Sequence, residues 1–332
     1  MRHAVTFKMI AIISVILISL TSSCETTKPP SPLKVGIDQF VGFAPIYLAT
    51  ERNIYKDLGI EVEPQMIIDT VSRNSSFQSG RSDAICTTVD SLLLAADKGM
   101  DLVIIGAVDQ SLGADGVVAR PNIQSINDLK DKTVAFQEAM PSHFFIFWLL
   151  DKNGMSKSDI LAVSMNADEA GAAFMAGKLD AAVTWEPWLS KAVESGKGRL
   201  LTSTRDHPGI LIDVLAVRRD VLERRERDVI ALYKGWMRAV ELAHNDPGGS
   251  NLVMSQKIGI ELNDFRTQLD KVKLADQAFN EQFFRKDNPG SIWNLGTQAI
   301  ALWKKAGVID PKDNFDPSKH ITDRIVMLAS KN

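Results

Sequence analysis

Leu102-Val-Ile-Ile-Gly-Ala-Val108 is an uncharged apolar run. It is too short for a bilayer span and has the β-branched content of a strand covered on both faces, as in a parallel sheet. Its surroundings give it context. Asp83-Ala-Ile-Cys-Thr-Thr88 reads as a strand, Asp90 to Lys98 as a helix, and Gly99 as that helix's stop. Upstream, Leu33-Lys-Val-Gly-Ile-Asp38 alternates apolar and polar residues, and a Gly-Phe-Ala-Pro turn follows at 42 to 45. Pro45 suits a first helical position, and Ile46, Leu48, Ala49, Ile54 and Leu58 keep helical spacing up to Gly59. Ile60 to Ile68 is a further strand and Ser72 to Ser79 a short helix before Gly80. This βαβα rhythm predicts an α/β sheet with helices on both faces.

The rhythm then starts again. Strands are expected within Asn127–Phe136, at Ile160–Met165, Asp180–Thr184 and Leu200–Ser203, with helices at Pro141–Asn153, Asp168–Ala176 and Pro187–Ser195. Ile210–Val217 is strand-like again. Beyond Asp220 the chain reads as helices at 221–245, 250–257, 263–274 and 291–306. Two α/β cycles followed by helices predict a bilobed α/β protein. The chain would cross between lobes near 112–116 and 211–214. Lobe one would comprise residues 33–114 and 216–332, and lobe two residues 115–215.

The start of the chain reads as an export signal. Arg2, His3 and Lys8 precede an apolar run from Met9 to Leu20, then Thr21-Ser22-Ser23 and Cys24. The run is shorter than the roughly 20 residues that span a bilayer. Residues 1–23 are therefore expected to be a lipoprotein signal peptide, Cys24 the lipidated residue, and 24–32 a tether. The usual Leu three residues before the cysteine is Thr21 here. Without residues 1–23 the chain keeps 36 basic and 41 acidic residues, a net charge of −5 (36 − 41). No basic cluster suited to a phosphate backbone appears, which argues against nucleic acid. Cys86 would be the one remaining thiol, so no intrachain disulfide and no thiol metal site is expected.

Four segments carry a resemblance. They are Phe43-Ala-Pro-Ile-Tyr-Leu-Ala49 followed by Gly59-Ile-Glu-Val; Gln78-Ser-Gly-Arg-Ser-Asp-Ala84; Asp128-Leu-Lys-Asp-Lys-Thr-Val-Ala135; and Ala173-Phe-Met-Ala-Gly-Lys-Leu-Asp-Ala-Ala-Val-Thr-Trp-Glu-Pro-Trp188. In order and spacing they resemble the solute-binding proteins of bacterial ABC importers for taurine, alkanesulfonates, nitrate and the thiamine pyrimidine precursor. The resemblance implies a type II periplasmic-binding fold, two lobes closing over one small solute, and delivery to a membrane permease. It implies no cofactor and no metal. With the N-terminal reading, it places the protein outside the cytoplasm as a lipid-anchored monomer on the periplasmic or cell-surface face of the membrane.

Ligands of open α/β sheets sit at the carboxyl ends of strands. That rule picks Gln39, Phe40 and Phe43, then Thr87, Thr88 and Asp90, then Asp109 in the first lobe. In the second it picks Glu138, Ser142 and His143, then Trp185, Glu186 and Trp188; Asp213 lies in the second crossing. Trp185 and Trp188 flank a helix start and can offer a ring to the cleft or fill the core. His143, before Phe144, Phe145, Phe147 and Trp148, is as well placed for packing or capping, and one residue of Thr87-Thr-Val-Asp90 for an N-cap before Ser91. Asp90, Asp109, Glu138, Glu186 and Asp213 all fall near strand ends, whereas no Arg or Lys does. Uncompensated carboxylates repel an anion and suit an amine, amidine or aminopyrimidine. The expected solute is thus nitrogen-bearing, neutral or cationic.

Two other functions compete. A eukaryotic pyrimidine synthase shares the implied fold but carries a cysteine-rich iron site, which this sequence lacks. Gly-x-Ser-x-Gly, His-Glu-x-x-His and Walker patterns are also missing, so an enzyme is not expected. A ligand-sensing domain of a signalling partner would continue into a membrane helix, and Lys319–Asn332 is too short and too charged to be one.

Overall fold

The computed structural model describes residues 31–330. The expected signal peptide at 1–23, Cys24 and the expected tether up to Pro30 lie outside the described residues, as do Lys331 and Asn332. Eleven strands form two sheets among the described residues. They are β1 (Leu33–Ile37), β2 (Val62–Met66), β3 (Ala84–Thr88), β4 (Leu102–Ser111), β5 (Asp115–Ala119), β6 (Thr133–Phe136), β7 (Leu161–Ser164), β8 (Ala181–Trp185), β9 (Arg199–Ser203), β10 (Ile212–Arg218) and β11 (Val272–Leu274). The first sheet runs β11-β4-β10-β3-β1-β2 and the second β7-β6-β8-β5-β9.

The apolar run of β4 is buried along its whole length. Ile104 and Ile105 are both fully enclosed, each contributing roughly 1.5–3 kcal/mol. Its pairing differs from the parallel sheet that its composition suggests. β10 and β11 flank it, and both run antiparallel to it. Burial on two faces, not strand direction, is what an unbroken apolar run records. Parallel pairs occur where βα units follow in sequence: β1 with β2 and β3, and β6 with β7 and β8.

The helices behave as their stops suggest. Residues 89–97 form a helix ended by Gly99, whose φ of 94° is a conformation open to glycine. Asp69 caps the helix 70–78 by accepting from the Ser72 amide at 2.7 Å. A correction falls on the expected helix 263–274. It spans Leu262–Leu269, and Val272–Leu274 instead pairs with the edge of β4. Backbone pairing to an open sheet edge outweighs local helix preference there. β5 was also not anticipated, and helices at Gln277–Phe283 and Arg324–Ala329 add to the C-terminal half.

The chain passes from first sheet to second through residues 112–114 and returns between Ser203 and Ile212. Ile212 and Asp213 face Gln110 and Asp109, so the return is complete at the start of β10. Buried hydrogen bonds tie the two passages. The Thr204 hydroxyl lies 2.7 Å from the Ser111 hydroxyl and accepts from the Gly113 amide at 2.8 Å, and Ser111 also donates to Asp115 at 2.7 Å.

Candidate functional site

Strand direction sets the site. The ends of β1, β3 and β4 and the start of antiparallel β10 share one edge of the first sheet, so Thr88 and Asp109 both face Asp213. This edge looks toward β5 and the end of β8. Between them lies a cavity of about 40 Å³. Phe40, Phe43, Thr87 and Thr88 line it from the first sheet, and Met140, Pro141 and Trp185 from the second. Phe40 and Phe43 meet edge-to-face at 5.5 Å between centroids. Asp38, Asp115 and Asp213 supply its charged wall. A wider space of about 460 Å³ adjoins it, with Asp38 and Trp185 common to both, and takes in Gln39, Asp69, Asn166, Asp168, Glu186 and Trp188. Aromatic faces and convergent polar groups in one concavity are the usual make-up of a small-molecule site.

Its electrostatics are lopsided. Asp38 meets the buried Arg73 at 3.2 Å, yet burial still raises its carboxyl above the usual carboxylate range. Burial raises Asp115 to about 6, even though the Ser111 hydroxyl donates to it. Asp109 and Asp213, opposite each other across two strands, are both pushed well above the usual range by burial, with mutual repulsion adding to Asp213. Glu186 is buried and paired with Lys271 at 2.5 Å. Among the described residues, no Lys or Arg lines either space. The site can therefore present negative charge and aromatic faces, and it offers no basic side chain to an anion.

Other expected residues sit elsewhere. Ser142 is buried at a helix start and accepts from the Gln137 amide at 3.0 Å, so its hydroxyl serves the β6 turn. His143 accepts from the Ala139 amide at 3.0 Å, stacks on Phe136 at 4.8 Å and touches Trp303. Burial lowers it to about 3, so it is a neutral packed ring outside both spaces. Glu138 is exposed and lines neither space. Asp90 lies inside the first turn of the helix 89–97, accepts from the Ser91 hydroxyl at 3.2 Å and is raised by burial to about 7. Gln39 donates to Ile258 O at 3.0 Å while bordering the wider space. Trp188 borders that space too, with Lys191 4.6 Å over its ring.

Sequence reading passed over Asp38, Asp115, Arg73 and Lys271. Asp38 follows β1 directly and was within reach of the strand-end rule. Asp115 opens an unforeseen strand, and Arg73 and Lys271 arrive from elements far along the chain.

A family profile described as "NMT1/THI5 like" matches residues 41–250, more than half of the chain. The chain belongs to this family. One relative is a protein of Bacillus subtilis (strain 168) named as an aliphatic sulfonates-binding protein. It is 26% identical over 324 residues, 91% of this chain and 94% of the relative. A protein of the same description from Escherichia coli (strain K12) is 32% identical over 116 residues, 34% of this chain and 36% of the relative. That match spans only about a third of either protein. The crystal structure of the periplasmic aliphatic sulphonate-binding protein SsuA from Escherichia coli superposes with a TM-score of 0.73. It covers 88% of this chain and 92% of that one at 19% identity, a likeness of fold. The NMT1/THI5-like chain thus has the bilobed periplasmic-binding-protein architecture.

Proposed function

We propose that this protein is the extracytoplasmic solute-binding component of an ABC importer. It would capture a small solute between the two sheets and deliver it to a permease. The observation that carries this reading is the concavity itself. It is lined from both sheets, and among the described residues the chain passes between those sheets only at 112–114 and 204–211. Short passages of this kind let two rigid bodies close on a ligand. The named relatives support the same reading, since they are described as binding proteins. The protein would carry out no chemistry of its own and would be exported, with Cys24 as its lipid anchor, and act as a monomer.

Within the sulfonate, nitrate and pyrimidine-precursor group we infer a nitrogen-bearing, neutral or cationic solute. Asp38, Asp115 and Asp213 in the lining favour it over an anion. Thermal-shift measurements against alkanesulfonates, taurine, nitrate, amines and pyrimidines test both levels, because a bound solute raises stability by mass action. An amine or pyrimidine should raise the melting temperature, and small-angle scattering should then show a smaller radius of gyration. A response to sulfonates alone would refute the nitrogen preference. Silence across the whole panel would refute the importer reading.

A further inference from the structure

Asp109 and Asp213 face each other on β4 and β10. Asp109 is fully buried, and neither of its carboxylate oxygens meets a hydrogen-bond donor. Asp213 is 8% exposed and lines the smaller cavity. Gly42 packs against Asp109, where a Cβ would stand 2.0 Å from Asp109 Oδ2. Arg73 is engaged with Asp38 and Lys271 with Glu186, so neither serves the pair as a counter-ion. Two adjacent carboxylates without a counter-ion cannot both ionise, so the empty site keeps one proton between them.

We propose that the Asp109–Asp213 pair is the subsite for the charged nitrogen of a compact organic cation, an amine or amidine, which replaces the shared proton as it binds. The step balances. One carboxylic O–H ionises, its proton passes to solvent, and the cation takes up the two negative charges without covalent change. Phe40, Phe43 and Trp185 receive the solute's apolar body. The proposal rests on the nitrogen-bearing reading above and adds the exact charge exchange that capture requires.

The neighbouring ionisable groups set the sign. Asp38 with Arg73 comes from the end of β1 and the helix 70–78, Cys86 from β3 and Asp90 from the helix 89–97. Asp115 comes from β5, Lys273 over Phe279 from β11, and Glu186 with Lys271 from beyond β8. The field at the pair is negative on balance. Burial and repulsion hold its pKa above the usual range in the free protein. Binding of a cation therefore strengthens as pH rises through that raised value, with proton release.

Benzamidine, which stays protonated throughout, is the probe, with neutral benzamide as its match. Titration calorimetry in two buffers of different ionisation enthalpy should find about one proton released per benzamidine. Affinity should rise with pH, toward tenfold per unit, until the pair's raised pKa is passed, and benzamide should not bind. Asp213→Asn should lose the proton release and weaken benzamidine at least tenfold. Infrared spectroscopy of the ligand-free protein near neutral pH should show protonated-carboxyl absorbance beyond that of Asp90, and Asp213→Asn should reduce it. Asp109→Asn provides the second variant should the first fold poorly. Benzamidine binding without proton release would overturn the exchange and leave the nitrogen preference standing. Ethanesulfonate binding with no benzamidine binding would overturn both and leave the importer reading intact. No response to benzamidine together with no carboxyl absorbance beyond that of Asp90 would overturn the subsite.

Discussion

Replacing Lys271 with Met should be among the costliest surface-accessible changes in the protein. Lys271 Nζ reaches Glu186 Oε1 at 2.5 Å and the Ser190 hydroxyl at 2.8 Å. The lysine side chain is 26% exposed and the glutamate 1%. At an effective dielectric of about 20, charges this close attract by roughly 7 kcal/mol. Desolvation cancels most of that, because each buried ion loses several kcal/mol of hydration. The intact pair therefore contributes little net, but a broken one leaves Glu186 buried without a counter-ion, at roughly 3–5 kcal/mol. Ser190 still donates to Glu186 through its hydroxyl at 2.9 Å and its amide at 3.3 Å, which favours the low end. Urea denaturation of Lys271→Met should show a loss of about 3 kcal/mol, and its melting temperature should fall by about 6–12 °C. Adding Glu186→Gln should restore most of it. The pair joins the turn after β8 to the start of β11, in different sheets, so the double variant should also open the cleft more readily in small-angle scattering. A loss under about 1 kcal/mol in the single variant would refute this account of Glu186.

Three further outcomes follow from the site. Trp185→Ala should weaken whichever solute raises the melting temperature by about tenfold or more, with little loss of fold; unchanged affinity with a sharply lower melting point would make Trp185 a packing residue. Asp90 is raised from 3.8 to about 7, so the neutral form stabilises the fold below the unfolded value and that stability is lost as pH rises through about 7. Asp90→Asn should remove up to about 4 kcal/mol of pH dependence between about pH 4 and about pH 8, and identical pH profiles for both proteins in urea denaturation would count against it. Gly42→Ala would place a methyl group on Asp109 and should cost roughly 1–3 kcal/mol by overpacking; an unchanged melting temperature would show that Asp109 can move.

The run Leu102–Val108 illustrates what this sequence decided. Its burial, the helix before it, the stop at Gly99 and the alternation into two α/β cycles all depend on local periodicity and backbone preference, and neighbouring residues carry both. The strand-end rule likewise brought Phe40, Phe43, Thr87, Thr88, Trp185 and Asp213 to one cavity. The neutral packing of His143 was an open alternative in the same text, and only its contacts with Phe136 and Trp303 settle it. Strand direction was not legible, because antiparallel β10 reaches β4 only after the chain has built the second sheet. Nor were the partners of the acids. Arg73 for Asp38, Lys271 for Glu186 and the orphaned pairing of Asp109 with Asp213 are set by packing distant segments together. A carboxylate's charge state depends on what surrounds it in space, and that is information the order of residues does not carry.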